Sequence, residues 1–173
     1  MHANNHLSLE DWRRKYPNFF HNRKVLELGS LNINGTVRGY FKDCEYIGID
    51  KQAGRGVDIV VEAKDTVFKP EYFDVIISFS MFEHDPEWKE SLKNNLRWLK
   101  TGGMLFIEYG AEGNRPHSRR CGGYHIIIPH QEFINYLQGL NIIIIESYFE
   151  EDKFGKCVAG AYNILGMKAI NNE

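Results

Sequence analysis

Short apolar runs that alternate with helix-patterned or turn-forming segments constrain this chain more than any other feature. Lys24–Leu28 is an aliphatic run ending at Gly29, Glu45–Ile49 is a second ending at Asp50, and Val57–Val61 is a third after the Gly54/Gly56 turn. Phe73–Phe79 is rich in β-branched and aromatic residues. Met104–Tyr109, Asn141–Ser147 and Cys157–Leu165 complete a set of seven. Runs this short and this apolar suit strands, several of them buried on both faces. Strands alternating with helical connections predict a mainly parallel sheet with helices on both sides. Only the polar Glu150–Lys156 stretch, with Gly155, separates the last two runs, so they are expected to close the sheet as an antiparallel hairpin.

The helices are read from caps and periodicity. Ser8 with Asp11 resembles a capping box, predicting a short helix from Leu9 to about Tyr16 that Pro17 ends. Thr36–Phe41 is expected to form one or two helical turns. Asp85 offers an N-cap and Pro86 a first helical position, and Trp88, Leu92, Leu96 and Leu99 recur on one face, so the spacing predicts a helix over Pro86–Leu99. Gly102-Gly103 is expected to stop it. Gln131–Leu137 reads as a further helix. The Lys51–Gly56 connection is too short for a full helix and implies a trimmed fold.

At 173 residues the chain is expected to form a single domain over residues 1–173, with residues 1–23 as a helical N-terminal extension. A net charge of −2 argues against nucleic acid or an anionic membrane as partner. Cys44, Cys121 and Cys157 are odd in number and widely spaced, as expected of reduced thiols in an intracellular protein. The N-terminus is polar up to Leu7 and the longest apolar runs are too short to span a bilayer, so a soluble, cytoplasmic domain without a leader is expected.

Chemistry is concentrated where the runs end. In open α/β sheets ligands sit beyond the carboxyl ends of the strands, near the switch in strand order. Gly29 allows close backbone approach there, and Glu27 sets a carboxylate beside it. About twenty residues later Asp50 ends the second run, where a carboxylate can accept both hydroxyls of a ribose. Each feature has a plainer reading, as a strand-ending turn or a capping Asp. Together they favour a cofactor containing a nucleoside.

The chain resembles class I methyltransferases dependent on S-adenosylmethionine (SAM), especially small bacterial and phage methyltransferase-domain proteins. Four blocks carry the resemblance: Val25-Leu26-Glu27-Leu28-Gly29-Ser30, Tyr46-Ile47-Gly48-Ile49-Asp50, the stretch from Phe73 to His84, and the stretch from Leu99 to Phe106 with its Gly102-Gly103 pair. It covers Lys24 to Tyr109 well and the remainder loosely. It implies a Rossmann-like, seven-stranded, mainly parallel sheet with a C-terminal antiparallel hairpin, and SAM as cofactor. It further implies that Glu27, Gly29 and Ser30 line the methionine end of SAM and that Asp50 holds the ribose. Glu62 and Ala63 would contact adenine, and Ser80, Met81 and Phe82 would border the sulfonium. The family's glycine turn is altered, with Leu31 and Ile33 at positions often occupied by glycine. Asn34-Gly35 is expected to form the turn instead. A dinucleotide is disfavoured, because its pyrophosphate needs a Gly-x-Gly-x-x-Gly turn that opens a helix.

Methyl transfer depends mainly on positioning, with a base where the acceptor carries a proton. Glu83 and His84 are the expected catalytic pair; the plainer reading is a helix-capping Glu83 and a packed His84. Arg115, His117 and His125 are the expected substrate contacts, in a segment that also holds Arg119, Arg120 and His130. Their spacing matches no metal pattern, so no metal is expected. The chain lacks an Asn/Asp-Pro-Pro-Tyr/Phe motif and a Pro-Cys nucleophile, and no aromatic-basic stripe suggests a nucleic-acid surface. The expected acceptor is a small or glycan-like molecule, methylated at oxygen or nitrogen. The rivals are a non-catalytic SAM-binding scaffold and an NAD-dependent oxidoreductase.

Overall fold

The computed structural model describes residues 3–33, 35–114, 124–151 and 160–169. Seven strands form one sheet: β1 Lys24–Leu28, β2 Glu45–Asp50, β3 Ile59–Val60, β4 Phe73–Phe79, β5 Leu99–Gly110, β6 Ile142–Glu151 and β7 Gly160–Lys168. Their order is β3-β2-β1-β4-β5-β7-β6. β1 to β5 pair in parallel, while β7 pairs antiparallel with both β5 and β6. The sheet is thus the mainly parallel α/β sheet with an antiparallel close that the sequence predicts. From β1 the chain builds outward to β3, then crosses back to β4 on the other side of β1. The switch point therefore falls between β1 and β4.

Alternation along each strand sends side chains into two apolar layers. On β5, Leu105, Ile107 and Tyr109 join one layer, and Met104 and Phe106 the other. The first layer is covered by α2 (Trp88–Leu96) and α3 (His130–Gly139), through Trp88, Leu92, Leu96, Phe133 and Leu137. The second is covered by α1 (Ala3–Lys15), whose Leu9 and Trp12 lie three residues apart on one face. The Trp12 ring stacks on Phe106 with centroids 5.2 Å apart. Arg13, Arg14 and Lys15 complement the negative end of that helix. Among the described residues, no helix is long and apolar enough to cross a membrane.

Several element boundaries differ from expectation. α1 begins at Ala3, so Ser8 lies inside it and caps nothing; its buried hydroxyl donates to Glu150 Oε2 at 3.0 Å. The helix expected over Pro86–Leu99 shrinks to α2. Leu99 instead pairs with Phe73 as the start of β5, and Gly102-Gly103 lies within that strand. β3 keeps only two residues, although Asp58 N and Val61 N still donate to Gly48 O and Asp50 O of β2 at 2.8 and 2.9 Å; Asp58 Oδ2 also accepts a hydrogen bond from Gly48 N at 2.6 Å. The Thr36–Phe41 turns reduce to a 3-10 turn at Arg38–Tyr40. β6 runs on to Glu151, and residues 157–159 of the last predicted strand lie outside the described residues.

Candidate active site

The carboxyl ends of β3, β2, β1 and β4 stand side by side. Neighbouring strands are about 4.8 Å apart, so the row spans roughly 14 Å, enough for a nucleoside with an extended side chain. At its centre, Gly29 N and Ser30 N both donate to Ile49 O at 2.9 Å, bending the chain out of β1 over the tip of β2. Gly29 has φ +76°, which favours glycine. The room beside it is filled by Met81: a Cβ on Gly29 would lie 2.6 Å from Met81 Cγ. The close approach inferred from sequence is real, but its partner is a side chain of the β4 loop.

Asp50 ends β2 with Oδ2 accepting from Leu31 N at 3.2 Å and Oδ1 from Gln52 N at 2.9 Å. A carboxylate has about four acceptor positions, so both oxygens can still receive ribose hydroxyls. Glu27 is buried and accepts the Tyr46 hydroxyl at 2.8 Å. Burial pushes its carboxyl up to about 7, against the opposing effect of that hydrogen bond. The Ser30 side chain turns toward Gly48, where a Cβ would lie 2.7 Å from Ser30 Oγ. Ser30 Oγ is buried and has no hydrogen-bond partner among the described residues. Gly56, at φ +91°, fits closely under Ser30 O, and Asn32 N donates to Arg55 O at 2.8 Å. The β2–β3 connection thus props up the β1 loop. Asn32 Oδ1 accepts from Gly35 N at 2.9 Å, while Asn34 lies outside the described residues.

Past β3, the Glu62 side chain is exposed and pairs with Lys64 at 3.4 Å. Ala63 opens a 3-10 turn, and its carbonyl accepts from Asn95 Nδ2 at 2.6 Å and Thr66 Oγ1 at 3.1 Å. Trp98 Nε1 and Asn94 Nδ2 donate to Thr66 Oγ1 at 3.3 and 2.9 Å, fixing this turn to α2 and its exit.

Past β4 the backbone reverses at Ser80, a non-glycine residue at φ +53°. Ser80 N donates to Glu108 O at 3.0 Å and Ser80 Oγ to Glu108 Oε2 at 2.9 Å. Phe82 points into the core against Phe133, so only its backbone borders the row of strand ends. Glu83 and His84 are buried. Neither is a helix cap: Asp85 receives Glu87 N at 2.8 Å and the Ser91 hydroxyl at 2.5 Å instead. His84 Nδ1 lies 2.9 Å from Tyr124 O, and its ring meets that of His125 edge-on with centroids 5.3 Å apart. A carbonyl only accepts, so Nδ1 carries the proton and Nε2 is the basic nitrogen of the neutral ring. The expected substrate residue His125 therefore joins His84. Arg115 and His117, with Arg119 and Arg120, lie outside the described residues. His130 belongs to a different cluster, between Tyr109 Oη and Ser147 Oγ, each at 2.8 Å.

Glu108 escaped the sequence reading. Its signal is a lone carboxylate in the otherwise uncharged Met104–Tyr109 run, on a strand buried on both faces.

The residues present fit SAM: a carboxylate with spare acceptor capacity at the tip of β2, a buried orphan hydroxyl at Ser30, and a close-packed Gly29/Met81 crevice at the switch point. No curated protein matches the chain. A Methyltransferase domain family model matches residues 32–107. Among solved structures, a 1,6-didemethyltoxoflavin-N1-methyltransferase from Burkholderia thailandensis, solved with 1,6-didemethyltoxoflavin and S-adenosylhomocysteine, is 12% identical with a TM-score of 0.69. That likeness covers 95% of this chain and 84% of that one. A SAM-dependent methyltransferase from Archaeoglobus fulgidus is 19% identical with a TM-score of 0.66, covering 94% of each chain. The cyclase SpnF is 14% identical with a TM-score of 0.72, covering 94% of this chain and 80% of that one. The chain thus shares a Methyltransferase domain match over residues 32–107 and, throughout its sheet, the fold of solved SAM-dependent methyltransferases.

Proposed function

We propose that this enzyme methylates an oxygen or nitrogen of a small or glycan-like acceptor, held over the carboxyl ends of β4 and β5, and that residues 1–173 work as one domain. The observation that carries the reading is the Ser80–His84 turn, which joins the cofactor row to the His84/His125 pair. SAM supplies an electrophilic methyl group. Asp50 accepts the ribose hydroxyls, the Glu27–Ser30 turn borders the methionine end with Asn34-Gly35 beyond it, and Glu62 and Ala63 flank the adenine. Ser80, Met81 and Phe82 border the sulfonium. Glu83 and His84 contact the acceptor, with His84 Nε2 accepting a hydrogen bond from its hydroxyl or amine. Arg115, His117 and His125 complete the acceptor side. Alignment of donor and acceptor by such contacts accounts for several kcal/mol of rate acceleration.

The test is calorimetry with SAM and S-adenosylhomocysteine, followed by a mass-spectrometric acceptor screen. Micromolar binding and a methylated product are expected, with NAD not bound. His84→Ala should keep SAM affinity within a few-fold and slow single-turnover transfer about 10²-fold. Tight SAM binding with no product across a broad screen would favour a non-catalytic SAM-binding subunit. Equal transfer rates for His84→Ala and wild type would remove His84 from the acceptor site.

A further inference from the structure

Glu27 of β1 pairs in register with Gly48 of β2, and Val25 with Tyr46, so the Glu27 and Tyr46 side chains are diagonal neighbours on the face that α1 covers. The Tyr46 hydroxyl donates to Glu27 Oε2 at 2.8 Å, which fixes the rotation of the carboxyl. A carboxylate has about four acceptor positions, so Oε1 can still receive a donor. The place of a Gly48 side chain is taken by Ser30 Oγ, 2.7 Å from where a Cβ would be, so Ser30 Oγ stands next to Glu27 at the mouth of the β1 turn. Tyr46 is itself held. Phe41 packs on it with ring centroids 5.5 Å apart, and the Arg38 guanidinium carbon lies 4.7 Å from its ring centroid. Arg38 is anchored by the Asp58 carboxylate, to which both of its terminal nitrogens donate, and by Gly56 O at 3.4 Å. Asp58 in turn accepts from Gly48 N at 2.6 Å. The contacts Asp58–Arg38–Tyr46–Glu27 therefore close a ring on the Gly48/Glu27 register pair.

We propose that Tyr46 is a positioning residue for the cofactor: its hydroxyl, braced by Arg38 and Asp58, turns the Glu27 carboxylate so that Oε1, with Ser30 Oγ beside it, receives the ammonium group of the cofactor's amino-acid end. This rests on the methyltransferase reading above. A carboxylate attracts an ammonium group only while it is ionised, and burial opposes ionisation. Burial pushes Glu27 up to about 7; the Tyr46 hydroxyl and then the Arg38 charge work against it, while Asp58 and Asp50 add to it. Those are the charged and titratable groups that face Glu27: Tyr46 and Asp50 on β2, Arg38 on its 3-10 turn and Asp58 ahead of β3. The β4 register partner, Ile77, is apolar. Burial and the Glu27 charge hold the Tyr46 hydroxyl well above its usual range, so it stays a donor. Tyr46 and Arg38 thus do more than fill the layer under α1. They keep the carboxylate aimed, and they keep it charged near neutral pH.

The test is calorimetry with S-adenosylhomocysteine, which has the same amino-acid end, on the full chain at about pH 6, about pH 7 and about pH 8.5. The ligand's own titration is common to every protein compared, so the ratio of wild-type to variant affinity isolates Glu27. Tyr46→Phe removes one hydroxyl and should raise the Glu27 carboxyl by about one pH unit. Its affinity should then be about tenfold below wild type at about pH 6 and close to wild type at about pH 8.5, where Glu27 is ionised in both. Arg38→Gln should show the same trend. In a Glu27→Gln background, adding Tyr46→Phe should change affinity no further. A Tyr46→Phe loss that is equal at every pH makes Tyr46 a packing residue, and the proposal falls; it falls equally if affinity is unchanged throughout. Wild-type affinity that does not rise several-fold between about pH 6 and about pH 7 overturns it without any variant having to fold. Ligand binding with either of those results overturns the role of Tyr46 alone. No binding by the wild type at any pH overturns the methyltransferase reading, and the proposal with it.

Discussion

Gly29 and Met81 share one crevice at the switch point: a Cβ added to Gly29 would lie 2.6 Å from Met81 Cγ and 2.7 Å from Met81 Cβ. Gly29→Ala therefore meets both overlap and an unfavourable φ. It should cost about 1–3 kcal/mol, a fall of about 3–10 °C in the unfolding midpoint. Adding Met81→Gly should relieve the overlap with both Cγ and Cβ and leave the dihedral cost of about 1–2 kcal/mol at position 29, together with the cost of the new glycine. Thermal unfolding of the two proteins measures both. A wild-type midpoint for Gly29→Ala would mean that the crevice is loosely packed.

Asp50→Ala should weaken SAM binding by about 1.5–3 kcal/mol, as for lost hydrogen bonds to a charged group, or roughly tenfold to a hundredfold. Because Asp50 also receives Leu31 N and Gln52 N, Asp50→Asn should retain part of that affinity. Calorimetry with unchanged affinity for Asp50→Ala would move the ribose site off β2.

Asn95 holds the turn after β3 through the Ala63 carbonyl and the Thr66 hydroxyl, which it meets at 2.6 and 2.9 Å. Asn95→Ala removes the closest of the donors to the Ala63 carbonyl, leaves Thr66 Oγ1 as its remaining close partner, and should cost about 1–3 kcal/mol of stability. SAM affinity should fall several-fold as the Glu62–Ala63 turn relaxes. Chemical denaturation and calorimetry on one preparation report both quantities. A stability loss without any change in affinity would detach Glu62 and Ala63 from the adenine site.

Glu27 predicts a pH dependence of folding. Its carboxyl is raised from 4.5 to about 7 in the folded state. The associated stability is therefore fully present below the unfolded value and is lost as pH rises through about 7. The loss is on the order of 3 kcal/mol. Asp74 acts in the opposite sense. Burial would raise it, but Lys100 and the Lys24 N–H outweigh burial and hold it below 3.8, so its contribution is lost only as pH falls through its folded value. Glu27→Gln should lose less stability than wild type between about pH 5.5 and about pH 8.5, read from denaturation midpoints. Parallel curves for the two proteins would show that Glu27 stays ionised.

The strand ends were legible because Gly29 and Asp50 interrupt apolar runs, a local signal with a local cause. α2 was overextended for an equally physical reason. Leu99 continues the helical spacing of Trp88, Leu92 and Leu96, yet its backbone is claimed by Phe73 across the sheet. Ser8 looked like a cap because nothing nearby announces Glu150, its partner at the far end of the chain. Within the site, Glu83 and His84 stood out by type and position. The left-handed turn at Ser80 has no sequence mark, since serine seldom adopts it. Met81 as the neighbour of Gly29 is likewise a fact of packing alone.

The place of β7 bears on how the protein is made. It is the last of the seven strands to leave the ribosome, yet it lies between β5 and β6. Until it emerges, β5 has an open edge along Met104–Gly110, a row of free amides and carbonyls on an apolar strand. β6, already synthesised, has no strand to hold it to the sheet. The nascent chain therefore passes through a stage with two unpaired edges, the kind of surface that invites association between chains. Insertion of β7 covers both edges in one step. Cooperative unfolding should begin with its withdrawal.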